Sequence, residues 1–142
     1  MQAQTRHAFT QEIALARQAY QANSYAVSFA HLERAHILGQ RYFYPHLITH
    51  AWMFRIGLRT RRWREVFGQL LRLLAVVPGF LFGWVPIGNT GGANVSALRP
   101  MPIPEDLKAA VPNQHARPEQ RARVLAWLVI GLLLLLGATV SV

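Results

Sequence analysis

The sequence contains no cysteine and few acidic residues, and these shortages narrow the chemistry open to the chain. Without cysteine there can be no disulfide, no thiolate metal ligand, no cysteine nucleophile and no covalently attached c-type haem. Asp106 is the only aspartate, and no serine lies in a nucleophile-elbow context, so neither a Ser-His-Asp triad nor paired catalytic carboxylates are indicated. We therefore predict no catalytic residues, and an enzyme is the least favoured class of function.

Acidic charge is scarce relative to basic charge, because 15 Lys and Arg stand against six Asp and Glu, for a net charge of +9. Six of the arginines fall within residues 55–72, where Glu65 is the single acidic residue. This patch predicts contact with anionic lipid headgroups or a partner protein, and no nucleic-acid-reading motif accompanies it. The residues predicted to make the contact are Arg55, Arg59, Arg62, Arg64 and Arg72.

Charge is absent altogether from residues 124–142, VLAWLVIGLLLLLGATVSV. As a helix this run extends roughly 28 Å, close to the hydrocarbon thickness of a bilayer. Arg117, Arg121 and Arg123 precede it, and short positive flanks stay cytoplasmic. The polar start of the chain has no signal-peptide pattern. We expect a single-pass protein of the inner (cytoplasmic) membrane, with a cytoplasmic N-terminal domain, a tether at 109–123 and a transmembrane anchor at 124–142.

Apolar periodicity in residues 1–77 predicts an all-α module of two helical hairpins. The predicted helices are one capped by Thr10 and running to Gln21, one through 25–38, one with Pro45 in its first turn and a break at 57–61, and one through 62–77. Apolar spacing from Tyr25 recurs from Trp63, an offset of 38 residues, which resembles tetratricopeptide repeats. The last helix is predicted to bury Trp63, Val66, Phe67, Leu70, Leu71 and Leu74.

An apolar segment broken by proline and glycine follows the module, and with an extended loop it fills residues 78–108. The uncharged run 73–87 is predicted to be an interfacial or packed element, with a second membrane span as the alternative. Residues 88–94 are rich in Gly and Asn, and we expect a structural turn there in preference to an anion-binding cradle.

Histidine provides the one constellation with evident chemistry. Glu33 and His36 are three residues apart and His46 and His50 four apart, so each pair shares a helix face. Because a short loop joins the two helices, these four side chains are predicted to converge as ligands of zinc, copper, iron or nickel. Met53, which would favour copper, and His31 are supporting candidates. Haem held by two of the histidines is less favoured, and purely structural histidines are the alternative to any site.

Two functions follow from these patterns. The first is a membrane-anchored helical protein that binds a metal ion through the His/Glu residues and handles metal without catalysis. The second is a non-enzymatic scaffold or accessory subunit of a larger membrane protein complex, in which the histidines and arginines would be interface residues.

Three stretches of the sequence carry a resemblance to a known family: HLERAHILGQ at 31–40, WREVFGQLLR at 63–72 and GWVPIGNTGGANVSALRPMPIPEDL at 83–107. Together with His46 and His50 they resemble a bacterial family of unknown function, domain of unknown function 3703, over about residues 8–108. The resemblance implies a small bacterial helical protein and brings no activity or ligand. The apolar run after residue 120 departs from the family pattern.

Overall fold

The structure, a computed structural model, describes residues 1–111, 122 and 125–130. Within residues 1–111 the chain is all-helical and forms no strand. Each of the first three helices packs against the next in the chain, which gives two consecutive helical hairpins. The helices are α1 (Ala3–Gln21), α2 (Tyr25–Gly39), α3 (Phe43–Arg59), α4 (Trp63–Phe82) and the single-turn α5 (Glu105–Lys108).

The two hairpins use the same turn at an offset of 38 residues. Asn23 and Arg61 both adopt positive φ, 58° and 54°, two residues before α2 and α4 begin. The backbone hydrogen bond from Ser24 N to Ala19 O recurs as Arg62 N to Gly57 O, 2.9 Å in each case. This repetition of backbone geometry supports the internal repeat predicted from side-chain spacing.

Small residues bring α1 and α2 close together. Ala16 and Ser28 are fully buried, and the Ser28 hydroxyl donates to the Ala16 carbonyl at 2.8 Å, so the helices meet without a large side chain between them. The main hydrophobic core surrounds this contact and consists of Ile13, Ala16, Leu32, Ala35, Met53 and Ile56.

The chain after α4 returns across the first hairpin and packs there. Leu107 of α5 is buried against Ile37 and Leu38. Ala110, which lies in the predicted tether, is buried in the same cluster. The Arg34 guanidinium of α2 links α5 to the first hairpin, since it donates to Glu12 of α1 at 2.7 Å and to Asp106 of α5 at 2.5 Å. The loop between α4 and α5 is therefore held at both of its ends.

Several helix boundaries differ from the predicted ones. Helix α1 begins at Ala3 and already contains Thr10. The Thr10 hydroxyl donates to the Arg6 carbonyl within the helix at 2.8 Å, so it does not cap a helix start. Helix α3 continues through Gly57. Helix α4 continues past Pro78 and ends at Gly83, whose φ of 75° is the left-handed conformation that commonly terminates helices.

The predicted burial along α4 is wrong for five of the six residues named. Val66 is buried, but the other five are 45% to 68% exposed and form one stripe, which we call the outer face: Trp63, Phe67, Leu70, Leu71 and Leu74. The reason is topological, since within residues 1–111 no helix packs on the side of α4 away from α3. Periodicity identified the helix but could not distinguish an apolar face in the core from an apolar face outside it.

Among the described residues, one helix, α4, has the length and composition of a membrane span. This helix is long and apolar enough to cross a bilayer, and 22% of its apolar 18-residue window is buried. Core helices of soluble proteins meet the same criterion but are mostly buried, which α4 is not. The anchor predicted at 124–142 lies outside the described residues except for 125–130, which are helical and exposed, so the structure does not confirm it.

Candidate metal centre

Three histidines from two adjacent helices meet in the interior. His36 lies near the end of α2, and His46 and His50 lie one turn apart in the first half of α3. The Nε2 atom of His50 is 3.2 Å from that of His36 and 2.9 Å from that of His46. All three side chains are buried, with exposed fractions of 2% to 7%. The convergence predicted for these three residues is therefore found in the structure.

The partners of the opposite ring nitrogens set the tautomers of two of these rings. His36 Nδ1 is 2.7 Å from the Asn89 carbonyl oxygen, and His50 Nδ1 is 2.6 Å from Oε1 of Gln69. A carbonyl oxygen can only accept, so both Nδ1 atoms carry the proton. Both Nε2 atoms then carry a lone pair, and they lie 3.2 Å apart with no proton available to join them. This is the arrangement found when histidines ligate a metal and bind a carbonyl with the other nitrogen.

His46 is the least constrained of the three. Its Nδ1 is buried without a hydrogen-bond partner among the described residues. In the metal-free protein its Nε2 can donate to His50, but the contact between His36 and His50 remains one of lone pair against lone pair. A cation would satisfy both contacts, with His46 in the tautomer whose Nε2 carries the lone pair. Tetrahedral zinc with bonds of about 2.0–2.1 Å requires ligand nitrogens about 3.3 Å apart. The two separations from His50, 3.2 and 2.9 Å, are close to this value, and all three ligand atoms lie within 4.8 Å of one another.

The electrostatic surroundings keep the three rings neutral. Burial, with the neighbouring His50, lowers the pKa of His46 to about 3. Burial, with the Arg72 charge, lowers the pKa of His50 to about 4 although Gln69 opposes the shift. Burial and the two other rings hold the pKa of His36 well below its usual value. Neutral imidazole is the form that binds metal, so these rings are ready to do so at neutral pH.

Gln69 of α4 holds His50, and sequence reasoning missed it. Its amide is fully buried, and Nε2 donates to Glu65 at 2.6 Å and to the Gly91 carbonyl at 2.8 Å. Both donated bonds fix the orientation of the amide, which directs Oε1 at His50. The sequence feature that could have identified Gln69 is a glutamine among the apolar residues on the buried side of α4.

The loop after α4 holds His36. The Asn89 side chain donates to the carbonyls of Ser96 and Arg99, both at 2.8 Å, and accepts from Gly91 N, which shapes the loop around the ring. Gly91 has a φ of +79°, and a Cβ there would lie 2.7 Å from the His36 ring. The Gly/Asn-rich segment is therefore a structural turn, as predicted, and its structure positions a histidine.

The other predicted ligands lie apart from these three rings, since the converging group within the described residues consists of His36, His46 and His50. Glu33 lies beside Gly92. Burial raises the pKa of its carboxyl above the usual value, with Thr90 opposing the shift and Glu65 adding to it. Met53 is in the main core with its sulfur 3.5 Å from the Gln69 amide nitrogen. His31 contacts Glu12 at 2.7 Å.

The predicted arginine patch is divided among several contacts. Arg55 lies over the rings of Tyr20 and Trp52 at 5.1 and 5.2 Å, and Arg59 donates to the Tyr25 hydroxyl. Arg62 and Arg64 are exposed at the start of α4.

Arg72, the fifth member of the patch, points away from the outer face. It donates to the backbone carbonyls of Gly68, Gly92 and Val95 and so binds the loop.

A cavity of about 140 Å³ opens beside the three imidazoles. This volume is far below the roughly 300–1,000 Å³ of pockets for drug-sized ligands, so a porphyrin does not fit and the haem alternative is not supported. The three imidazoles would occupy three coordination positions of a metal ion and leave the fourth facing the cavity, where an outside ligand could bind.

Comparison of the chain with curated proteins and with solved structures finds no match. A family described as a protein of unknown function (DUF3703) matches residues 3–111, which include all three histidines, Gln69 and the loop that holds His36. The matched region ends where the continuously described structure ends, before the apolar run at 124–142. The chain belongs to the DUF3703 family.

Proposed function

We propose that this protein binds one divalent transition-metal ion through His36, His46 and His50 and handles metal without catalysing a reaction. The observation that carries the proposal is the 3.2 Å separation between the Nε2 atoms of His36 and His50, both of which carry a lone pair in the tautomers assigned above. Neutral rings cannot join these atoms by a hydrogen bond, because both Nδ1 protons are already donated to carbonyl oxygens. A metal ion makes this contact favourable.

Zinc is the first metal to test. Imidazole nitrogens suit zinc, copper(II), nickel and iron, and three of them with an open fourth position are a common zinc set. Met53, the residue that would favour copper, contacts the Gln69 amide. Glu33 is not required as a ligand in this proposal.

The test is the metal content of the full-length protein, purified in lipid nanodiscs and measured by elemental analysis after incubation with zinc and desalting. We expect one zinc ion per chain, and less than a tenth of that in the double variant His46→Ala, His50→Ala. The matched control is His31→Ala, which removes a histidine of α2 that contacts Glu12 and leaves the three rings intact. Equal zinc in the double variant and the wild type would refute the site.

We propose further that the protein lies on an anionic membrane through the outer face of α4. Five large apolar side chains are exposed there, and Arg61, Arg62 and Arg64 border the face at the start of the helix. Exposed apolar residues beside basic ones are typical of helices that lie in the headgroup region. The uncharged sequence at 124–142 would attach the same chain to the same bilayer.

Single cysteines test the membrane contact, because the chain has none of its own. An environment-sensitive fluorophore at Leu71→Cys should report an apolar surrounding in nanodiscs that contain phosphatidylglycerol. The same label at Ala14→Cys, on the exposed side of α1, should report water. If both labels report water in nanodiscs while Leu71→Cys is shielded in native membranes, the outer face binds a protein. The accessory-subunit function would then replace the membrane contact.

A further inference from the structure

The cavity beside the three imidazoles has a distinctive wall. Apart from the histidines and Arg72, it is lined mostly by apolar residues, among them Val76, Pro78, Trp84, Val85, Pro86 and Leu98. Trp84 and Leu98 are also 62% and 72% exposed, so they stand at the mouth. The cavity therefore leads from the surface to the open side of the proposed metal ion along an apolar path.

The charge of this cavity is unbalanced once a metal is bound. Three neutral imidazoles contribute no negative charge, and Arg72 adds a positive one on the wall. No carboxylate lines the cavity within the described residues, and the Arg72 guanidinium donates to backbone carbonyls. Glu65, outside the cavity, offsets part of the Arg72 charge, so the charge of a bound divalent ion would remain uncompensated. A divalent ion and a guanidinium at a partly buried site require an anion to compensate them.

We propose that the open coordination position takes the carboxylate of a small aliphatic monocarboxylate, whose chain lies against the apolar wall while Arg72 balances its charge. This rests on the proposed metal centre. The carboxylate supplies the missing anion and the fourth ligand in one group. A cavity of 140 Å³ is close to the size of one that holds benzene, about 150 Å³, so a molecule of about six heavy atoms such as butyrate fits.

The test uses the full-length protein in nanodiscs, loaded with cobalt(II) in place of zinc, because the visible spectrum of cobalt reports a change in its ligands. Acetate, propionate and butyrate are titrated, with butanol and butylamine as uncharged and cationic controls of similar shape. We expect the spectrum to change with all three acids and affinity to rise up to about fourfold per added methylene. Butanol and butylamine should leave the spectrum unchanged.

Two variants assign the contacts. Arg72→Gln retains a hydrogen-bond donor for the loop carbonyls but removes the charge, so butyrate should bind at least about tenfold more weakly while cobalt is retained. Ala75→Leu adds bulk to the cavity wall and should weaken butyrate more than acetate. Failure to bind cobalt would refute the metal centre and this proposal together. Cobalt binding with no spectral response to butyrate, or an equal response to butylamine, would refute this proposal alone.

Discussion

Replacement of Gly91 by alanine is the sharpest test of how the loop builds the metal centre. The residue has a φ of +79°, and its new Cβ would lie 2.7 to 2.9 Å from three atoms of the His36 ring. The left-handed conformation costs a non-glycine residue about 1–2 kcal/mol. Overlap with a ring that cannot move freely costs about 1–3 kcal/mol more. We expect Gly91→Ala to lose about 2–5 kcal/mol of unfolding free energy.

The same substitution should also displace the His36 ring from its position. Zinc affinity should fall by at least about tenfold, since His36 would leave either the metal or the Asn89 carbonyl. Urea denaturation in detergent micelles measures the first effect, and zinc competition with a chromophoric chelator measures the second. Both measurements are made on the full-length chain.

Two controls separate a local effect on the centre from loss of stability alone. Gly79→Ala places a Cβ in α4 at 4.0 Å from Val85 Cγ2, an ordinary van der Waals contact, so this variant should keep zinc affinity and be stable or slightly stabilised. Ile13→Ala should cost about 2–5 kcal/mol in the main core and keep zinc affinity. If Gly91→Ala matches Gly79→Ala in both measurements, the geometry described for the His36 ring is wrong.

Three further predictions follow from the same contacts. The metal-free protein should lose unfolding free energy as pH falls below 6.5, because unfolded histidines bind protons while folded His46 and His50 stay neutral until about pH 3 and 4. When His36 is included, the unfolding free energy measured by urea titration should fall by up to about 4 kcal/mol per pH unit. A urea midpoint that is the same at pH 6.5 and pH 4.5 would contradict this prediction. Gln69→Leu should weaken zinc about 10- to 100-fold in the chelator assay by removing the acceptor for His50 Nδ1, and unchanged affinity would show that Gln69 does not orient the ring. The double variant Phe67→Ser, Leu71→Ser should change unfolding free energy by about 1 kcal/mol or less, because both side chains are over 60% exposed. The buried control Leu32→Ala should cost about 2–5 kcal/mol. Equal losses would mean that the outer face is part of the core.

The sequence predicted the parts of the fold that depend on local pattern. The 38-residue offset between Tyr25 and Trp63 identified the repeated hairpin, because two hairpins with the same turn geometry place corresponding helix positions at a constant offset. The i,i+4 pair His46 and His50 predicted a shared face, and the short loop after α2 brought His36 to it. These inferences needed only helix geometry and a short connection.

The parts that could not be predicted depend on contacts between distant segments. Gln69 is 19 residues from His50, and Asn89 is 53 residues from His36, so no local spacing connects either residue to its ring. The outer face of α4 was assigned to the core because an apolar stripe has the same pattern whether protein or lipid covers it. Only the arrangement of the neighbouring helices distinguishes the two.

The energetics of the histidine group support the proposal that it binds a ligand, because the group contributes little to stability. Three neutral imidazoles are buried, the lone pairs of two of them oppose each other, and one Nδ1 has no partner among the described residues. An apolar core of the same volume would avoid each of these costs. Yet Gln69, Asn89 and Gly91 are all arranged to hold the rings in this unfavourable state. Local conflict that the surrounding structure maintains is characteristic of functional sites, and the proposed metal ion would remove the conflict.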